Sequence, residues 1–130
     1  MLFDTGSIIH TSKSLQGLSL TRRLAKGELD IRVGNRAKVA AIAVETYYFP
    51  LPSGLVLELN NCYCIPALCK NIISSSCLEE VDGYEIIIKN KCCSIYYNGI
   101  FYAHCPLVNG LYVLDLEDKS ICNINAKGLN

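Results

Sequence analysis

Asp4-Thr5-Gly6-Ser7, directly after the apolar pair Leu2-Phe3, is the stretch of this 130-residue chain whose residue types are best suited to chemistry. A carboxylate can act as a general acid or base. Two carboxylates about 3 Å apart cannot both ionise, so one keeps a proton that polarises a carbonyl while the other deprotonates a water. The stretch occurs once, so such a pair requires two copies of the chain. Thr5 and Ser7 carry hydroxyls that can bond to backbone, and Gly6 lets the main chain approach a carboxylate and offer its N–H. The same residues equally suit an ordinary turn or a helix N-cap. Asp-(Ser/Thr)-Gly arises by chance in roughly one chain in twenty of this length, so the surrounding elements must decide.

Downstream, Asn71-Ile72-Ile73-Ser74-Ser75-Ser76-Cys77-Leu78 follows Tyr63-Cys64-Ile65-Pro66-Ala67-Leu68. Together with Asp4-Thr5-Gly6-Ser7, these segments resemble the active-site signature and the Asn-Ile-Ile-Ser-type strand of retroviral-type aspartic proteases. In that pattern an apolar strand threads beside the catalytic loop and runs into a short helix. His10, the Gly34-Asn35 turn, Leu51-Pro52-Ser53-Gly54-Leu55 and Asn109-Gly110-Leu111-Tyr112-Val113-Leu114 follow in order. The whole is similar to the protease segment of a copia-type retrotransposon Gag-Pol polyprotein.

The resemblance implies a homodimeric endopeptidase, with Asp4 of two chains sharing the water, Thr5 holding loop geometry and Gly6 donating backbone hydrogen bonds. It makes Ser7, Gly34 and Asn35 candidate substrate-binding residues, the last two at the tip of a flap hairpin that covers a polyprotein peptide. Ala41 and Ala43 stand where relatives often have glycine, which is expected to stiffen or reshape the segment after the flap. No cofactor or metal is implied. The expected partners are a second copy and the peptide substrate, with neither nucleic acid nor membrane, in an intracellular, cytoplasmic setting such as a retrotransposon particle. Residues 1–108 would form the protease domain. Residues 109–130 would form a C-terminal strand and the lead-in to a pre-integrase region whose zinc ligands lie beyond Asn130. Only three residues precede Asp4, where retroviral-type proteases have an upstream strand, so the Leu111 to Leu116 strand is the candidate source of dimer contacts. From a different class, the alternative is a catalytically inactive module with a role in folding or particle assembly.

Composition fits a single domain, long enough to bury a core and too short for two catalytic lobes. Twelve basic residues balance twelve acidic ones, and nothing in that balance argues for a nucleic-acid surface; Arg22, Arg23 and Lys26 read as a solvated face. No apolar run reaches membrane-spanning length. The eight cysteines are expected to be reduced, mostly buried thiols. A zinc reading starting from Cys62, Cys64 and Cys69, or from Cys92, Cys93, His104 and Cys105, does not match the usual paired frameworks. His10 and His104 are the only imidazoles. A catalytic triad is disfavoured, since no Ser or Cys sits in a nucleophile motif.

The positioning elements read as short strands. Glu28 to Val33 alternates polar and apolar, then Gly34-Asn35 turns the chain into Ala37 to Val44. Pro50 to Gly54 is a turn into Leu55 to Leu59. Tyr84 to Ile88 and Cys92 to Tyr97 form a hairpin, Asn98-Gly99 turns into Ile100 to Ala103, and a last strand runs from Leu111 to Leu116. One short helix capped by Ser74 or Ser75 extends to Glu80, and Thr11 to Leu15 is a second candidate. The expected fold is all-β: a small closed or nearly closed β-barrel of the retropepsin type with one or two short helices.

Overall fold

Three dipeptides late in the chain set its local geometry. Asn90-Lys91, Asn98-Gly99 and Asn109-Gly110 all have positive φ at both positions (52° and 57°, 50° and 79°, 50° and 81°). This is the handedness that joins twisted antiparallel strands through two-residue loops, and Asn and Gly tolerate it best. The computed structural model describes residues 1–4, 6–32 and 37–114.

The elements run β1 (Leu2–Asp4), β2 (His10–Ser12), β3 (Leu20–Arg23), β4 (Asp30–Arg32), β5 (Lys38–Ala40), β6 (Ala43–Pro50) and β7 (Val56–Cys64). They continue with β8 (Ile72–Ser74), α1 (Ser75–Glu79), β9 (Tyr84–Lys89), β10 (Cys92–Tyr97), β11 (Ile100–Val108) and β12 (Leu111–Val113). Ten strands make one sheet in the order β3-β6-β7-β2-β8-β1-β12-β11-β10-β9, while β4 and β5 form a separate pair. The fold is therefore mostly β with little helix. The expected closed barrel is not found among the described residues, because β3 and β9 end the sheet without pairing with each other. The sheet nevertheless curls over one core. Phe3, Phe49, Leu57, Leu59 and Ile73 from one part of it share a buried cluster with Ile95 and Ala103 from the other, and Leu78 of α1 joins them.

Several boundaries differ from the sequence expectation. Thr11 and Ser12 lie in β2, not in a helix, because His10, Thr11 and Ser12 pair in parallel with Cys62, Tyr63 and Cys64. Ala37 to Val44 is not one strand. It breaks at Ala41-Ile42, where the Ala41 N–H donates to the Leu29 carbonyl (3.0 Å) and the Ile42 N–H to the Cys64 carbonyl (2.9 Å). The strand expected over Leu55 to Leu59 extends to Cys64 and alternates, with Leu57 and Leu59 inside and Val56 and Glu58 outside. Asn61 at φ 53° shifts the phase, so Cys62 and Cys64 are the next residues buried.

The last strand departs most from expectation. The Asn109-Gly110 turn folds β12 back against β11, and β12 then pairs antiparallel with β1, Leu2 opposite Val113 and Phe3 opposite Tyr112. The strand after residue 108 thus belongs to the same sheet as the rest. Both of its edges are occupied within the chain, so Leu111 to Val113 cannot supply an interchain strand; Asp115 and Leu116 lie outside the described residues. Among the described residues no helix is long and apolar enough to cross a membrane.

Ile73 is fully buried at the centre of the sheet, and Ile73→Ala is expected to cost about 2–5 kcal/mol through lost burial and the cavity left behind. Urea denaturation monitored by circular dichroism checks this; a loss under about 1 kcal/mol would mean that this part of the core repacks freely.

Candidate active site

Asp4 is the last residue of β1, held there by pairing on both sides of its strand. On one side β8 runs parallel, with Leu2, Phe3 and Asp4 opposite Ile72, Ile73 and Ser74. On the other lies β12, and the Leu114 N–H adds a bond to the Met1 carbonyl (2.7 Å). The carboxylate is half-buried, and its Oδ1 accepts the Gly6 N–H at 2.7 Å. A Cβ on Gly6 would sit 3.3 Å from that oxygen, so the carboxylate would have to give by a few tenths of an ångström. Glycine is therefore explained here by close approach rather than by backbone handedness.

Ser7 does not present its hydroxyl outward. Its Oγ donates to the Ile9 carbonyl (2.7 Å) and accepts the Ile9 N–H (3.3 Å). Its carbonyl in turn accepts Ser74 Oγ (2.6 Å) and lies 3.2 Å from Ser76 Oγ. Ser7 therefore shapes the loop through these bonds. Ile8, next in the loop, is 83% exposed. Thr5, Gly34 and Asn35 lie outside the described residues.

The Asn71-Ile72-Ile73-Ser74 segment earns each of its residue types. The Asn71 side-chain carbonyl accepts the Lys13 N–H (2.8 Å), and its backbone carbonyl accepts the Leu2 N–H (2.8 Å), tying the entry of β8 to both β2 and β1. Ile73 fills the core. Ser74 caps α1 by accepting the Cys77 N–H at 3.2 Å while its hydroxyl reaches the loop after Asp4. Cys77 Sγ donates to the Ile8 carbonyl (3.0 Å). β8 thus threads between β1 and β2 and runs into a short helix, and three side chains from it and the helix hold the loop that follows Asp4.

His10, for which sequence alone suggests no role, joins this frame. Its ring is buried, and Nδ1 accepts the Ser74 backbone N–H at 3.0 Å. Desolvation lowers its pKa from 6.5 to about 4, so the imidazole is neutral, with the Nδ1 lone pair available, throughout mildly acidic pH.

The hairpin expected to be the flap is formed by β4 and β5, paired Asp30 to Ala40, Ile31 to Val39 and Arg32 to Lys38. It shares no ladder with the main sheet. Its base is tied down through Ala41 and Ile42; Ala41 is 2% exposed and Ala43 fully buried. Arg22 near this base pairs with Glu28.

An open groove of about 820 Å³ lies elsewhere, bordered by Lys89, Lys91, Tyr96, Phe101 and His104, with no residue of the Asp4 loop. In it Ser94 Oγ lies 2.8 Å from His104 Nδ1, and Cys92 Sγ lies 3.5 Å from the same nitrogen. This serine–histidine contact was not legible in the sequence. A bulge at Ile95/Tyr96 moves Ser94 from the position opposite Ala103 to the one opposite His104. No carboxylate borders the groove to orient the imidazole, so the pair lacks the third member of a triad. A smaller cavity of about 420 Å³ adjoins the Asp4 loop through Ile8, Ile9 and Cys77.

The seven described cysteines are free thiols. Burial pushes Cys62 up to about 12 and Cys93 up to about 11, away from the thiolate form that binds metal. Among the described residues no three His, Cys, Asp or Glu side chains group as metal ligands. No protein-family model, curated protein or solved structure matches the chain.

The histidine generates a pH prediction. Its folded pKa lies below the unfolded value, so between pH 6.5 and 4 the unfolded chain takes up a proton that the native chain refuses. Its contribution is complete above pH 6.5 and is lost as pH falls toward about 4, a loss on the order of 3 kcal/mol. His10→Phe lacks the titration, so the stability gap between parent and variant, read from urea melts, should narrow from pH 7 to pH 4.5. A constant gap would mean that His10 is not held neutral.

Proposed function

We propose that this chain is one protomer of a homodimeric aspartic endopeptidase, the protease segment of a copia-type retrotransposon Gag-Pol polyprotein with a retropepsin-like fold. The observation that carries the reading is the setting of Asp4. It ends a strand flanked by the threaded β8, and its Oδ1 accepts the N–H of the glycine two residues on. An ordinary turn or N-cap would account for the Gly6 bond alone. It would not account for a separate strand and helix whose Ser74, Ser76 and Cys77 side chains all hold that loop.

In the proposed dimer the two Asp4 carboxylates share one proton. One takes a proton from the water between them as its oxygen attacks the scissile carbonyl carbon, and the other gives its proton to the carbonyl oxygen. Gly6 fixes the orientation of each carboxylate through its N–H. The β4–β5 hairpin is the candidate cover for an extended peptide, which it would bind through backbone groups as an added strand. The setting we propose is inside the cell, on the polyprotein itself. The second reading, a non-catalytic module of the polyprotein, is favoured by one observation: β12 fills the edge of β1 that strands from a second chain would otherwise use.

The two readings separate in a fusion of the chain to a flanking polyprotein segment, assayed for self-cleavage at mildly acidic pH with and without a statine-type transition-state analogue. The parent should cleave and be inhibited, and Asp4→Asn should abolish cleavage. An uncleaved parent, or an equally active variant, rules out the proteolytic reading. Gly6→Ala should slow cleavage about 10-fold or more by displacing the carboxylate, with thermal stability almost unchanged.

A further inference from the structure

The outer edge of β9 is regular and partly apolar. Among the described residues β9 ends the sheet, bonded to β10 alone. Its sequence, Tyr84-Glu85-Ile86-Ile87-Ile88-Lys89, has no proline, its ladder with β10 has no bulge, and it leaves Ile87 39% and Ile88 54% exposed. Edge strands of this kind are ordinarily blunted by charge, proline or irregularity. The opposite edge of the sheet, β3, shows that treatment: it is short, carries Arg22 and Arg23 side by side and has an irregular register with β6.

The direction in which the β9 backbone points follows from its turn. Lys89 and Cys92 flank the two-residue Asn90-Lys91 loop, which makes them a hydrogen-bonded pair. Alternation then assigns residues 85, 87 and 89 to β10 and turns the N–H and C=O groups of Ile86 and Ile88 outward. Two bonds agree with this phase: the Asn98 N–H donates to Gly83 O at 2.8 Å, and the Tyr84 N–H turns away from β10 to Val81 O at 3.3 Å.

We propose that two chains associate antiparallel through β9 about a two-fold axis at Ile87. In that register the outward residues meet each other, Ile86 against the partner's Ile88 and the reverse, so each N–H and C=O finds a partner. Ile87 faces its own copy. Glu85 falls opposite the partner's Lys89 at a non-hydrogen-bonded position, where side chains approach closest, and the symmetry makes this pair twice. Shifting the axis by one residue to Ile86 would set Glu85 against Ile87 and lose both charge pairs. Side chains 84 and 86 face the core, so Glu85, Ile87 and Lys89 project together on the outer face, and among the described residues no salt bridge engages either charge. This pairing is separate from any meeting of the Asp4 loops and does not depend on the proteolytic reading.

The test combines sedimentation velocity with amide exchange by nuclear magnetic resonance on the intact chain. Raising the concentration should slow exchange at the Ile86 and Ile88 N–H groups. Glu85→Lys, which sets like charges opposite each other twice, should weaken association about 10-fold. Lys89→Glu should do the same, and the double swap Glu85→Lys/Lys89→Glu should restore it. A chain that stays monomeric at high micromolar concentration overturns the proposal. So does self-association that leaves Ile86 and Ile88 exchange unchanged, the result expected if the Asp4 loops alone pair, or association equal in all four proteins. Protection produced by an unrelated extended peptide but not by concentration would assign the edge to another partner and equally overturn self-pairing.

Discussion

The insertion of β8 between β1 and β2 is the constraint on which the rest depends. Three residues make a parallel ladder on one side and an antiparallel contact on the other, which requires the chain to return through a gap that its first two strands leave open. Such a non-local pairing costs loop-closure entropy before it yields any contact. The offset comes from specific bonds at both ends, Asn71 at the entry and Ser74 at the exit, and from the full burial of Ile73 between them. The loop after Asp4 is shaped by the same insertion, because Ser74 and Ser76 reach its carbonyl. Core packing and site geometry are thus one arrangement.

That arrangement brings polar groups inside. Thr11 on β2 is buried with a hydroxyl oxygen that lacks a hydrogen-bond partner among the described residues, a cost of about 1–3 kcal/mol, whereas the buried Ser12 hydroxyl faces the Cys62 and Cys64 thiols. Nearby, Glu45 is fully buried on β6, yet its carboxylate is satisfied by backbone. One oxygen accepts the Gln16 N–H (2.8 Å) and the other the Gly17 N–H (3.0 Å). Gln16 then grips the Tyr48 backbone with both ends of its amide, at 2.6 and 2.8 Å. The carboxylate stands in for a missing strand: it closes the open segment between β2 and β3 onto β6 with charge-assisted bonds in place of a ladder. A buried carboxyl group is tolerable because both of its oxygens are hydrogen-bonded.

What could be read in advance, and what could not, divides along the range of the interactions. Two-residue turns are local, so Asn98-Gly99 announces itself in a few residues. The helix cap at Ser74 is local too, needing only a hydroxyl three residues before an N–H. Thr11 misleads because its strand exists only through pairing with Tyr63 and Ile72, and hydroxyl residues on their own read as caps and turns. Ser94 and His104 meet only because a bulge adds one residue to the register. His10 carries no motif of its own; the chemistry of its Nδ1 is defined by the Ser74 N–H, a partner on a strand that arrives much later in the chain. Of the site, the residue types around Asp4 were legible, whereas the bonds that orient them were not.

The occupancy of β1 decides what a paired active site would have to look like. Both edges of that strand are filled within the chain, by β8 and by β12, and β12 is itself enclosed by β1 and β11. A partner therefore cannot be recruited by adding strands beside the strand that bears the carboxylate. It would have to meet the loop face, where Ile8 projects almost free of its own chain and where the loop backbone is already fixed by Ser7, Ser74 and Gly6. Such an interface begins with a preformed loop, so little ordering entropy remains to oppose association. It also has a small area, since loops contribute far less contact than an interchain sheet. The preformed loop is thus a consequence of β8, and the closed edge of β1 a consequence of β12.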